Sequence, residues 1–179
     1  MALKPTIYKA TVNLNDTDRD YYDALQLTMA CHPSETLERM MVRLLAFCLQ
    51  AREGLMFCKG ISSSDEPDLW AHELDGTLAL WIDVGEPAVD RIRKASRIAK
   101  KVVVYSFNSK SSVWWTQHQA QLSQLDVSVY QLAWPAVQRL AAQASRTMDL
   151  SVTIAEGTVW LTLAQETCEL QVLPLQERC

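Results

Sequence analysis

The chain has 179 residues, about one ordinary domain, and 49% of them are apolar, enough to bury a core without disulfides or metals. Its formal net charge of −4 argues against strong non-specific DNA binding by the whole surface, while leaving room for a local basic groove. No apolar run approaches the roughly 18 residues of a membrane span, and the start alternates like a strand instead of carrying the apolar stretch of a signal peptide. Neither membrane insertion nor export is therefore expected.

The five cysteines, Cys31, Cys48, Cys58, Cys168 and Cys179, are odd in number and form no Cys-x-x-Cys pair. Reduced, mostly buried thiols fit this pattern and a cytoplasmic location, and the spacing gives no zinc site.

In chain order, residues 6–14 and 22–30 read as the strands of a long hairpin. Asp16, Asp18 and Asp20 between them mimic the start of a calcium loop. Tyr21 and Leu27 stand where that loop needs Gly and Glu, so a plain acidic turn is expected. A helix follows over 34–52, capped by Ser34, with Glu35 and Glu38 at its positive end and Gly54 after it. Its apolar stripe centres near Leu37 and Cys48, which sends Glu35 to solvent and leaves Glu38 on the flank. Short strands are expected at 55–59, 69–74 and 78–84, and Pro87 opens a helix to about Lys100. A buried strand at 102–107, a helix at 113–122, a strand at 127–132 and a helix from Pro135 to about Ser145 come next. The tail, 150–173, reads as three strands with a turn at Glu156-Gly157. The expected fold is a single α/β (α+β) domain over residues 1–179. Its mixed central sheet carries an α-β-β-β-α-β core, flanked by N- and C-terminal β-hairpins.

Asp75-Gly76 is the strongest short hairpin signal. With these two as the loop, Leu74 faces Thr77, Trp70 faces Trp81, and Asp68 faces Asp83 on one sheet face. A three-residue loop would shift the register by one and put the acids on opposite faces. Facing carboxylates repel unless something intervenes, and a divalent cation suits oxygen ligands. Two readings stand: Asp68, Asp83 and Glu38 form an acid site, or Asp68 caps a strand and Glu38 only favours the helix dipole. The cations Arg91, Arg93, Lys94, Arg97, Lys100 and Lys101 are either a solvated helix face or a surface that tracks phosphates. Of Trp114 and Trp115, about 100° apart on a helix, one is expected in the core and one at its rim. Asn108-Ser109-Lys110 is a plain loop or a phosphate contact.

Several segments together resemble the YaeQ family: His32-Pro33-Ser34-Glu35-Thr36 with Glu38-Arg39-Met40-Met41, Asp65-Glu66-Pro67, Trp81-Ile82-Asp83-Val84-Gly85 and Val113-Trp114-Trp115. The resemblance runs over essentially the whole chain, from Met1-Ala2-Leu3-Lys4. It implies a variant of the PD-(D/E)XK nuclease fold, a restriction-endonuclease-like αβββαβ core. Glu38 then matches the helix acid, Pro67-Asp68 the Pro-Asp pair, and Asp83-Val84-Gly85 the last motif, with Gly85 where a lysine should orient water. On this resemblance Asp68 and Asp83 hold Mg²⁺ or Mn²⁺, and Lys94 replaces the missing lysine, with Arg91 its rival on geometry. Arg91, Lys94 and Lys110 contact nucleic acid. The implied function is metal-dependent cleavage of nucleic-acid phosphodiesters. The alternative is a non-catalytic nucleic-acid-binding or regulatory protein, in line with the family's link to transcription antitermination. The sequence fixes no oligomeric state.

Overall fold

A computed structural model describes residues 4–178. Residues 1–3 of the family resemblance and the Cys179 thiol lie outside it. Among the described residues there are ten strands and four helices. They run β1 (Thr6–Asp16), β2 (Tyr21–Cys31), α1 (Leu37–Leu49), β3 (Met56–Phe57), β4 (Leu69–His72), β5 (Leu78–Val84), α2 (Val89–Ile98), β6 (Lys101–Ser106), α3 (Ser111–Leu122), β7 (Ser128–Leu132), α4 (Trp134–Ala141), β8 (Thr147–Ala155), β9 (Thr158–Leu163) and β10 (Glu166–Gln176). A 3-10 turn at Gly60–Ser62 precedes β4. The stretch from α1 to β6 has the expected α-β-β-β-α-β order. No described helix is long and apolar enough to cross a membrane.

All ten strands join one mixed sheet in the order β2-β1-β8-β9-β10-β7-β6-β5-β4-β3. The terminal hairpins are thus continuous with the centre: β1 lies parallel to β8, and β10 runs antiparallel to β7. Strands β5, β6 and β7 are parallel, a pairing that needs crossovers, and α2 and α3 supply them. Residues Val102 to Phe107 are buried without alternation because helices cover both faces of β6. The acidic β1–β2 turn binds backbone, as the plain reading requires. Asp16 accepts the N–H groups of Asp18 and Arg19, and Asp18 accepts those of Glu156 and Gly157.

Two cores result. The larger collects α1, α4 and one face of the sheet, which curls so that α1 touches both β2 and β5. The smaller packs α2 and α3 on the other face of β5–β7, with Trp114 buried in it and Trp115 half-buried at its edge. Helix α1 differs from its sequence reading. It starts at Leu37 behind a Thr36 cap, whose hydroxyl accepts from the Arg39 N–H, and ends at Leu49, well before Gly54. Met40 through Cys48 are all buried, because the sheet and α4 surround the helix. An enclosed helix has no solvent face to fix the phase of a wheel. Hence Leu37, the expected stripe centre, is 38% exposed, whereas Leu44 is fully buried.

This contrast is measurable by urea unfolding. Leu44→Ala should cost about 2–5 kcal/mol through lost transfer energy and a cavity. Leu37→Ala should cost under about 1 kcal/mol.

Candidate functional site

The hairpin that carries Asp68 and Asp83 reaches the expected register by another route. The Gly76 N–H donates to the Glu73 carbonyl and the Glu73 N–H to Thr77, so the loop has three residues, Leu74-Asp75-Gly76, with Gly76 at φ +86. That alone would put the acids on opposite faces. A bulge between Ala71 and His72 offsets it: His72 faces Leu78, but Ala71 faces Leu80, Trp70 faces Trp81 and Leu69 faces Ile82. The ladder ends at Leu69 and Ile82; Asp68, just before it, donates its N–H to the Ile82 carbonyl, so that Ile82 and not Asp83 is its partner across the strands.

Both acids are 2% exposed, and both line a cavity of about 530 Å³ at the carboxyl end of β5. They turn to different helices. Asp68 Oδ2 accepts from the Val84 N–H at 2.9 Å and from Arg39 Nη2 of α1 at 2.9 Å. Its Oδ1 lies 2.8 Å from the same nitrogen but off the N–H direction, so it forms an ion pair without a directed hydrogen bond. Asp83 Oδ2 accepts from Trp81 Nε1 and from Arg91 Nε of α2, each at 3.0 Å, and its Oδ1 accepts from Arg91 Nη2 at 3.2 Å. Arg91 also donates to the carbonyls of Ser64 and Glu66, fastening the loop before β4 across the cavity. Burial raises the Asp68 pKa above the usual carboxylate value, against the opposing charge of Arg39 and the Val84 N–H; Asp83 adds to the rise. Gly60 has φ +49, and a Cβ there would overlap the Asp68 carboxylate, so only glycine fits.

A second arginine extends the pairing inward. Glu35 accepts from Arg39 Nη1 at 2.7 Å and from Arg43 Nη2 at 2.6 Å. The expectation that Glu35 points to solvent is corrected: it precedes the first helical residue, so the wheel did not apply, and it is buried against two arginines. The result is a chain of alternating charge, Arg43–Glu35–Arg39–Asp68, that ends at the cavity. Beside it, burial first and then Glu66 push the Cys58 thiol up to about 12, which keeps it protonated and unreactive.

The other expected site residues fall elsewhere. Glu38 is half-buried and does not line the cavity; the helix residue that reaches it is Arg39. Lys94 is exposed and away from the acids, and the α2 cation beside them is Arg91. Lys110 is exposed at the start of α3, while Asn108 lines the cavity. Gly85 has φ +99, a backbone that disfavours any side chain, which accounts locally for the absent lysine. Sequence reading missed Arg39, Arg43 and Glu86, which also lines the cavity. The i, i+4, i+8 spacing of Glu35, Arg39 and Arg43 was the signal for the first two.

A divalent metal does not fit this arrangement as it stands. Each acid is already neutralised by a guanidinium, and among the described residues no group of three or more His, Cys, Asp or Glu forms a metal shell.

A family model described as YaeQ protein matches residues 1–172. The chain belongs to the YaeQ family. The YaeQ proteins of Salmonella typhi and of Escherichia coli (strain K12) are 43% and 41% identical to it, each over 99% of both chains. The crystal structure of YaeQ protein from Xanthomonas axonopodis pv. citri is 37% identical and superposes with a TM-score of 0.93, over 96% of this chain and 98% of that one. The YaeQ protein from Pseudomonas syringae gives 36% and 0.93, over 97% of each chain. This YaeQ-family fold is therefore shared nearly end to end.

The arginine clamp reverses an expectation drawn from bare facing acids, that removing one charge relieves repulsion. Asp83→Asn forfeits charge-assisted bonds to Arg91 and should lower the unfolding free energy by about 1.5–3 kcal/mol in urea unfolding. Unchanged or increased stability would mean that repulsion between the acids outweighs the arginine bonds.

Proposed function

We propose that this chain is a nucleic-acid-binding protein on a nuclease-like core, one that holds the phosphodiester backbone without cleaving it. The observation that carries this reading is the pairing of both buried acids with arginines, Asp68 with Arg39 and Asp83 with Arg91. A carboxylate so neutralised is a poor metal ligand, and the lysine that would orient water has no counterpart at Gly85. Cations outside the cavity are free to meet a polyanion: Lys94 and Lys110 are exposed and in no ion pair among the described residues. The α-β-β-β-α-β order supports the nuclease-like core as a common ancestor of the scaffold. A cytoplasmic location accompanies this reading, in keeping with free thiols at Cys31, Cys48, Cys58 and Cys168.

The rival reading, a magnesium- or manganese-dependent nuclease, has one observation in its favour: Asp68, Asp83 and Glu86 line the same cavity. Fluorescence anisotropy with single-stranded and duplex DNA and RNA, run beside a cleavage assay in both metals, separates the two. The expected result is binding that weakens steeply with salt and no cleavage. Lys94→Ala combined with Lys110→Ala should make the salt slope shallower by about 1.4 for single strands, two phosphate contacts at roughly 0.7 each. Metal-dependent cleavage that disappears in Asp83→Asn would establish the nuclease instead.

A further inference from the structure

The acidic chain conceals a sharp segregation of charge. It has 21 Asp and Glu, yet none lies between Arg91 and Leu125, a stretch that holds seven Lys and Arg. This segment folds as α2, β6 and α3, so its helices share one face of the sheet and pack on each other. Between them runs a groove of about 380 Å³, walled by Arg93, Ser96 and Arg97 on α2, by Gln121 on α3 and by Gln124 just after it. Arg93 and Arg97 are one turn apart on the same side of α2. Arg97 is exposed and forms no ion pair among the described residues. Arg93 pairs only with Asp90, an acid whose side chain is 91% exposed, and such a surface pair is worth little and exchanges readily.

We infer that the α2–α3 groove is a second phosphate-binding surface, on which Arg93 and Arg97 take successive phosphates of a nucleic-acid strand and Gln121 and Gln124 contact its sugars or base edges. This rests on the nucleic-acid reading above and deepens it by locating the strand outside the acid-lined cavity. The chemistry is that of phosphate positioning: guanidinium groups present forked donors to phosphate oxygens, and glutamine amides both donate and accept. Backbone contacts of this kind are indifferent to sequence, so the surface takes up any strand with an accessible phosphate edge. The cleft and the groove lie at opposite ends of α2: Arg91 in its first turn serves the acids, and Arg97 in its last turn serves the groove. One helix thus links them, and the six residues from Arg91 to Arg97 span about 9 Å of axial rise.

The test is Arg93→Gln combined with Arg97→Gln, with Gln121→Ala as a companion, in the full chain. Anisotropy titrations use a mixed-sequence single-stranded RNA, a duplex DNA, heparin and anionic vesicles over a range of salt. Both arginines lie at the surface, so the double variant should melt as the wild type does. The expected result is a loss of at least about tenfold in affinity for either nucleic acid, equal across sequences, with the salt slope shallower by about 1.4 on the single strand and 1.8 on the duplex. Nucleic-acid affinity and slope equal to wild type would overturn the groove while leaving the cleft reading intact. Absence of nucleic-acid binding in the wild type would overturn both. Binding to heparin or vesicles but to no nucleic acid would assign the groove to another polyanion and overturn the inference.

Discussion

Two carboxylates that line one cavity, each almost without solvent, can stay charged only if opposite charge is built in beside them. In this protein the opposite charge is covalent. Arg39 reaches Asp68 from inside the curled sheet, and Arg91 reaches Asp83 from outside it. Much else follows from that pairing. Helix α1 must present Arg39 at its first turn, which the Thr36 cap and the buried Glu35 secure. Helix α2 must begin beside the end of β5, and its Arg91 then holds the loop at Ser64 and Glu66. The loop must come close enough that Gly60 leaves no room for a side chain. The ion pairs thus join elements on both faces of the sheet at one point.

The same pairing bears on chemistry. A nuclease of the expected type needs acids free to take a metal and a lysine to manage the water. Here the acids are committed to guanidinium groups, and the lysine position has a left-handed backbone that only glycine adopts without strain. Asp68 and Asp83 are each balanced by an arginine, and Lys94, Arg97 and Lys110, exposed and in no ion pair among the described residues, lie on the acid-free segment from Arg91 to Leu125.

Much of the fold was legible because strong local signals and tertiary demands agree. The β1–β2 hairpin, the buried run of β6, the Pro-led helices and the Glu156-Gly157 turn of the last meander all lie near where patterning put them. The joining of β1 to β8 was not legible, since a parallel pair between the two ends of a chain leaves no local mark. At the site, the Trp70–Trp81 register was read as it is found, but from a two-residue loop that is not there, and Asp68 leaves that register to bond Ile82. A three-residue loop and a bulge at Ala71/His72 each shift the register by one and cancel, and neither could be read from the residues. Glu35 was placed in solvent because the helix wheel was extended to a residue that precedes the helix. Lys94 was preferred to Arg91 on chemical precedent, whereas the α2 cation that lies beside the acids is Arg91.

Arginines balance the two acids. Thermal melting across a magnesium titration tests it most directly, with wild type and Arg91→Ala side by side. The expected result is no shift in the wild type at millimolar magnesium and a new upward shift in Arg91→Ala, where Asp83 is released. A ligand at about 100 times its dissociation constant stabilises the native state by roughly 2.7 kcal/mol, so a real site would be plain in the melt. A shift of that size in the wild type, lost in Asp83→Asn, would contradict the account.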